Sequence, residues 1–149
     1  MKNIFLLFKE INVNFQNMRK CILLLFLFNG FSSLGLWSSN IYVNGSTYFI
    51  GPNANLVEAN LSGADLRDAW LNGADLTSAN LTEANLSNAQ LSGTILSNAI
   101  LRGVNFQDAY ISSAVLTHAD LTGSDFSDVT LNNALFSYTT LAQIKSGGI

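Results

Sequence analysis

The stretch that decides the fold reads Ala54-Asn-Leu-Val-Glu-Ala-Asn-Leu-Ser-Gly-Ala-Asp-Leu66 and keeps its register to Leu141. Its five-residue unit is Ala, then Asn or Asp, then Leu, then two residues that are mostly Ser, Thr, Gly, Asn, Asp or Glu. The Leu position recurs eighteen times from Leu56 to Leu141, and the small position two residues earlier is Ala in thirteen of the eighteen units. The non-Leu occupants are Phe106, Ile111, Phe126 and Phe136. This regularity predicts a repeat architecture.

A period of five fits neither a regular helix nor a flat strand. Residues five apart in an α-helix are rotated by about 140° and spread around the cylinder. In a strand, an odd period sends alternate Leu side chains to opposite faces. The unit therefore combines a short extended piece, with Ala and Leu inward and Asn or Asp outward, and a corner of turn-forming residues. Because one unit cannot bury its own Leu, successive coils must stack around a continuous core.

With this motif at this copy number, the tract resembles the pentapeptide-repeat family over about 90 of the 149 residues. The resemblance implies an all-β fold, a right-handed quadrilateral β-helix with four units per coil, and hence about 4.5 coils. At ~4.8 Å per coil the solenoid would be roughly 20 Å tall. Side chains twenty residues apart would then form columns, with Phe106 and Phe126 in adjacent coils.

The charge changes sign along the chain. Residues 1–50 carry a net charge of +3 and residues 51–149 a net charge of −6, although the whole chain is only −3. In the basic part, Arg19 and Lys20 precede eight consecutive apolar residues, 21–28. This asymmetry predicts a membrane-directed leader in front of a mildly acidic domain.

The basic segment, the apolar run and the small residues after it are typical of a secretory signal peptide. Residues 1–37 are therefore predicted to be a leader cleaved within 33–39, with Met18 as an alternative start, and the protein is expected to be exported to the periplasm or the extracellular space. The alternative is an uncleaved membrane anchor at residues 21–37, which is short for a span. Cys21 is the only cysteine, so the sequence offers no intrachain disulfide and no cysteine metal site.

A hairpin is predicted between the leader and the repeats. The segment Ile41-Tyr-Val-Asn-Gly-Ser-Thr-Tyr-Phe-Ile50 has Asn-Gly between two β-rich runs, which favours a type I′ turn. Residues 38–53 are interpreted as an N-terminal β cap that covers the first Leu layer of a β-helix at 54–143. The alternative for these residues is a flexible linker without regular structure. Residues 144–149 are expected to be a flexible tail, which leaves the C-terminal end open to end-to-end association of two copies.

Outward residues form columns as well, and two of these suggest binding surfaces. Trp70 and Tyr110 would lie two coils apart, and aromatics on a β surface bind sugar rings or a partner. The other surface is an aliphatic stripe of the kind that marks protein interfaces, with ordinary β propensity as the alternative reading. Its residues are Ile95, Val115 and Leu135 in one column and Ile100 on the next side.

No catalytic arrangement emerges from the sequence. His118, the only histidine, falls at a corner with no nucleophile placed beside it by any motif, and no hydrolase, metalloprotease, P-loop or dinucleotide-binding pattern occurs. Stacked Asn and Asp of a third column predict amide ladders rather than a cation site, because the two carboxylates are far apart. The members of that column are Asp65, Asn85, Asn105 and Asp125. No catalytic residue, cofactor or metal is expected.

These observations favour an exported, non-catalytic structural or protein-interaction module with an unknown protein partner and no nucleic-acid partner. The resemblance also implies an alternative, since some members of the family imitate duplex DNA and protect DNA gyrase. That function would require a cytoplasmic, strongly acidic and usually dimeric rod. The leader and the moderate charge of −6 on residues 51–149 argue against it.

Overall fold

The computed structural model describes residues 39–146. The predicted leader, 1–37, lies outside the described residues together with Met18, Cys21 and all of the predicted cleavage region except Ser39, and so do 38 and 147–149. The described part begins with two antiparallel strands, β1 (Ser39–Val43) and β2 (Ser46–Ile50). The two residues that join them have positive φ, 49° at Asn44 and 81° at Gly45, as a type I′ turn requires.

After Ile50 the chain coils with a period of twenty residues. Fifteen parallel bridges each join a residue to the one twenty positions later, from Asn55 with Asp75 to Asp125 with Lys145. Asp75 shows the pattern, because its N–H donates to Ala54 O at 2.9 Å and its carbonyl accepts the N–H of Leu56 at 2.7 Å. Four five-residue units therefore make one coil, and the fold is a quadrilateral β-helix.

Each corner is a tight turn with one left-handed residue. Ala59 N–H donates to Leu56 O at 3.1 Å, and the third residue of that turn, Glu58, has a φ of 58°. A positive φ, between 58° and 75°, recurs at every later corner from Gly63 to Gln143. Gly, Asn and Asp tolerate this conformation best, which explains why turn-forming residues follow each Leu in the sequence.

The interior is filled as the columns predict. The Leu and Ala positions are buried from Ala54 to Leu121, and Phe106 packs on Phe126 with ring centroids 4.8 Å apart. Two Ala positions hold hydroxyl residues that are fully buried, Thr94 and Ser124. Their hydroxyls donate to carbonyls of the coil before, at Leu71 and Leu101, so neither is buried without a partner.

The hairpin supplies a hydrogen-bond acceptor to one outward N–H of the first coil. In later coils the outward N–H donates backwards, as Asn80 N–H does to Ala59 O at 2.9 Å. In the first coil, Asn60 N–H donates instead to the hydroxyl of Tyr48 at 3.0 Å. The side-chain amide of Asn44 donates to Ser62 O at 3.0 Å, and Ile50 joins the buried core. The hairpin thus contacts the first coil at Asn60 and Ser62 and adds Ile50 to the core.

The outward Asn and Asp side chains bond within their own turns. The Oδ1 of Asn80, for example, accepts the N–H and the hydroxyl of Thr82 at 3.0 and 2.7 Å. The amide ladders predicted for the third column were therefore wrong. In each member of that column, Oδ1 accepts the backbone N–H of the residue two positions later in the chain. Nine outward positions do this: Asn55, Asn60, Asp65, Asp75, Asn80, Asn85, Asn105, Asp120 and Asp125.

The β-helix extends beyond the boundary expected at residue 143. Lys145 bridges Asp125, its N–H donates to Ser124 O at 2.9 Å, and Ile144 packs against the core. The reason is that Ile144 and Lys145 take the small and outward positions of one more unit. Past Phe126 the packing loosens, and an open apolar cavity of about 180 Å³ lies among Phe126, Leu131, Phe136, Leu141 and Ile144.

The structure predicts that stability depends on where along the stack a Leu is removed. Leu86→Ala should lower the free energy of unfolding by about 2–5 kcal/mol, since this fully buried side chain would leave a cavity between two coils. Leu141→Ala, at a side chain that is 48% exposed, should cost less than about 1 kcal/mol. Urea unfolding followed by circular dichroism measures both, and equal losses would contradict the columns.

Candidate functional site

Exposed aliphatic side chains concentrate around one corner of the β-helix. Ile95, Val115 and Leu135 are successive bridge partners in one column, and Ile95 and Leu135 are 39% and 55% exposed. Ile100, which is 41% exposed, lies across the corner on the next face. Four of the residues expected to bind a partner are thus brought together.

The turn residues of this corner add an aromatic pair. His118 and Tyr138 stack with ring centroids 5.0 Å apart and an interplanar angle of 8°. Tyr138 is 83% exposed, and both residues have a φ of 59°. We call the six residues the apolar corner: Ile95, Ile100, Val115, Leu135, His118 and Tyr138. Sequence reasoning missed this pair, although the spacing of twenty residues between them was the signal.

The aromatic column lies on a different face. Trp70, Gln90, Tyr110 and Thr130 are successive bridge partners, and Trp70 and Tyr110 are 38% and 49% exposed. This face precedes the Ile95 column in each coil and is separated from it by a two-residue corner. The structure therefore divides the sequence-predicted site residues into two surfaces, one mainly aliphatic and one aromatic.

Several charged groups adjoin the two surfaces, and some of them are paired. Arg67 donates through Nε and an Nη atom to the two carboxylate oxygens of Asp65, both at 2.8 Å, which raises the pKa of the guanidinium. Arg102 pairs with Asp120. The pKa of Asp120 is lowered most by the hydrogen bond from the hydroxyl of Thr122 and next by the hydrogen bond from Arg102. The hydroxyl and N–H of Ser127 lower the pKa of Asp125 in the same way.

Neither surface assembles the groups that metal binding requires. Among residues 39–146, no three His, Cys, Asp or Glu side chains are grouped so that they would hold a metal ion. Within the same range, no helix has the length and apolar character needed to cross a membrane. The arrangement can present flat surfaces of defined chemistry, and its geometry is that of a β-solenoid scaffold.

Comparison with known proteins identifies the scaffold. The family model described as pentapeptide repeats (8 copies) matches residues 59–98 and again 99–137, more than half of the chain. The chain therefore belongs to the pentapeptide-repeat family, whose structures are right-handed β-helices. Proteins of this kind are generally structural or interaction modules rather than enzymes. No curated protein matches the sequence significantly.

Solved structures give the same fold. HetL, a protein involved in heterocyst differentiation regulation in the cyanobacterium Nostoc sp. strain PCC 7120, is 27% identical with a TM-score of 0.60, over 63% of this chain and 45% of HetL. Rfr23 from the cyanobacterium Cyanothece 51142 is 35% identical with a TM-score of 0.54, over 64% of this chain and 61% of Rfr23. The chain thus spans about half of the first relative and three fifths of the second. QnrB1, a plasmid-mediated fluoroquinolone resistance protein, is 23% identical with a TM-score of 0.45, over 66% of this chain and 53% of QnrB1. A similarity at this level has no bearing on the function of this chain.

The paired aspartates predict a loss of stability in acid. The pKa values of Asp120 and Asp125 are lowered in the folded protein, so their contribution is present above the unfolded pKa, near 3.8, and is lost as pH falls through the folded values. Urea unfolding between pH 6 and pH 3 should show this decline. In Asp120→Asn with Asp125→Asn the decline should shrink, because Asn keeps the Oδ1 acceptor without titrating. An unchanged pH dependence in the double variant would contradict the assignment.

Proposed function

We propose that this protein is an exported, non-catalytic interaction module whose apolar corner binds a protein partner. The observation that carries the proposal is the concentration of exposed aliphatic side chains at one corner, with Ile95, Ile100 and Leu135 each more than a third exposed. Contiguous apolar surface of this kind is typical of protein interfaces. A rigid stack holds it in one shape, which lowers the entropy cost of binding.

The hydrogen bonding of the turns supports this interpretation. Ile95, Val115 and Leu135 occupy the outward position at which nine other units use Asn or Asp to accept an N–H of the turn. An aliphatic side chain has no oxygen for that N–H, and a typical hydrogen bond contributes about 0.5–1.5 kcal/mol. These residues therefore give up local stability and expose apolar surface, a combination that a binding role explains.

Export rests on the leader sequence alone. The basic residues before the apolar run at 21–28 and the small residues after it support secretion, with a retained anchor as the alternative. Cell fractionation together with the mass of the mature N-terminus tests this part independently of the binding surface. A cytoplasmic protein that keeps residues 1–37 would overturn it.

A triple variant, Ile95→Asn with Val115→Asn and Leu135→Asn, tests the binding surface. We expect a melting temperature equal to or above that of the parent, because each Asn can accept the N–H of Ser97, Thr117 or Ser137. We also expect the loss of a discrete adduct formed in the native host by a photo-crosslinker at position 138, detected by mass spectrometry.

Two controls make this result specific. Gln90→Asn with Thr130→Asn makes the same kind of change on another face and should leave the adduct unchanged. Leu141→Asn, at the apolar C-terminal end, reports on end-to-end association through the mass measured by light scattering. If the triple variant folds and the adduct persists, the apolar corner is not the interface.

A further inference from the structure

We propose that the aromatic face is a binding site for a neutral, extended β-linked oligosaccharide. The site consists of the column Trp70, Gln90, Tyr110 and Thr130 with the two corners that flank it. It is distinct from the apolar corner and does not depend on the protein-binding role proposed above. Three features of this face indicate such a ligand: the spacing of the rings, the polar residues on both sides and the charge.

The spacing of the two aromatic side chains is set by the backbone. Trp70 bridges Gln90 and Gln90 bridges Tyr110, so the two aromatic residues are separated by two coil steps. Two steps of ~4.8 Å give about 10 Å between their Cα atoms along the stack. Two consecutive sugars of an extended β-1,4-linked chain cover about the same length. Trp70 and Tyr110 are therefore positioned to contact every second ring of such a chain.

The residues around the rings are short and polar. Asn72, Ser92, Ser112 and Asn132 follow the aromatic column on one side. The Oδ1 of Asn72 accepts the N–H of Ser92 at 2.9 Å, which leaves its amide nitrogen to donate to a ligand. On the other side lie four exposed residues held at left-handed corners, Asp68, Asn88, Asp108 and Asp128. Amide, hydroxyl and carboxylate groups beside aromatic rings suit a ligand with an apolar ring face and hydroxyl edges.

The charge of this face selects among ligands that stack on aromatic rings. Nucleic-acid bases also stack on Trp and Tyr, but their phosphates require Lys or Arg. Here three aspartates flank the column, and the nearby Arg67 is bonded to Asp65 through two contacts of 2.8 Å. A neutral sugar avoids this repulsion and donates hydroxyls to the carboxylates. The aromatic face thus differs from the apolar corner, whose column is aliphatic at Ile95, Val115 and Leu135.

Isothermal titration of the full chain with hexasaccharides tests the proposal. We expect cellohexaose, which is β-1,4-linked and extended, to bind, and laminarihexaose, which is β-1,3-linked and curved, to bind at least tenfold more weakly. Polygalacturonate, an anionic polymer, should not bind. Trp70→Ala and Tyr110→Ala should each weaken cellohexaose binding about tenfold. Tyr138→Ala removes an exposed tyrosine from the other surface and should have no effect.

A double variant separates ring spacing from aromatic content. Trp70→Gln with Gln90→Trp keeps both ring types on the face but moves them from two coils apart to one. We expect it to lose affinity for cellohexaose while the melting temperature stays within a few degrees of the parent. The proposal is overturned if no hexasaccharide binds at millimolar concentration, or if the double variant binds as well as the parent. It is also overturned if Tyr138→Ala weakens cellohexaose binding as much as Tyr110→Ala does. The same holds if Trp70→Ala and Tyr110→Ala leave cellohexaose binding unchanged and weaken only the binding of a protein partner.

Discussion

Hydrogen bonding between coils at a fixed offset of twenty residues is the constraint on which the rest of this structure depends. Successive complete coils are bonded to each other at their corners and along their faces. Examples are the N–H of Leu76, which donates to Ile95 O at 2.7 Å, and the N–H of Ser78, which donates to Ser97 O at 2.9 Å. A coil of this size has room for one large and one small side chain per side. The repeat cannot gain or lose a residue without moving every later Leu out of the core, since inward and outward positions alternate.

The same constraint decides where the sequence is free to vary. In the unit from Asp75 to Ala79, four backbone N–H groups bond to backbone carbonyls, and the fifth, that of Thr77, bonds to the side chain of Asp75. An outward residue can therefore be exchanged at the cost of one turn hydrogen bond, whereas an inward residue cannot be exchanged without a cavity or a clash. Every residue that we assign to a binding surface on sequence grounds, such as Ile95 or Trp70, takes the outward position. The scaffold separates residues that maintain the fold from residues that are available for recognition.

Much of this arrangement could be predicted from residue order, and the parts that could not are those that depend on side-chain direction. The hairpin followed from Asn44-Gly45 and the Phe106–Phe126 contact from their separation. The bond from Asn85 to Ser87 N–H was not predicted, because a column of amides fits ladders and turn bonds equally well until the side-chain rotamers are known. The stacking of His118 on Tyr138 was missed because corner residues were treated as solvated singly. Of the candidate surfaces, the columns and their outward position were predictable, while the exposed fraction of each side chain and the aromatic pair at the corner were not.

The sequence by itself determined the period, the inward and outward assignment of each position, and the hairpin before the repeats. It could do so because the burial of Leu and the conformational demands of turns are local rules that repeat in every unit. Only the tertiary structure decided how exposed each outward side chain is and which corner residues stack on each other. Leu135 is 55% exposed and Ile95 only 39%, and His118 stacks on Tyr138 at the corner beside them. The tertiary structure also extended the last coil through Lys145, because backbone pairing with Asp125 continues as long as a coil is present to pair with.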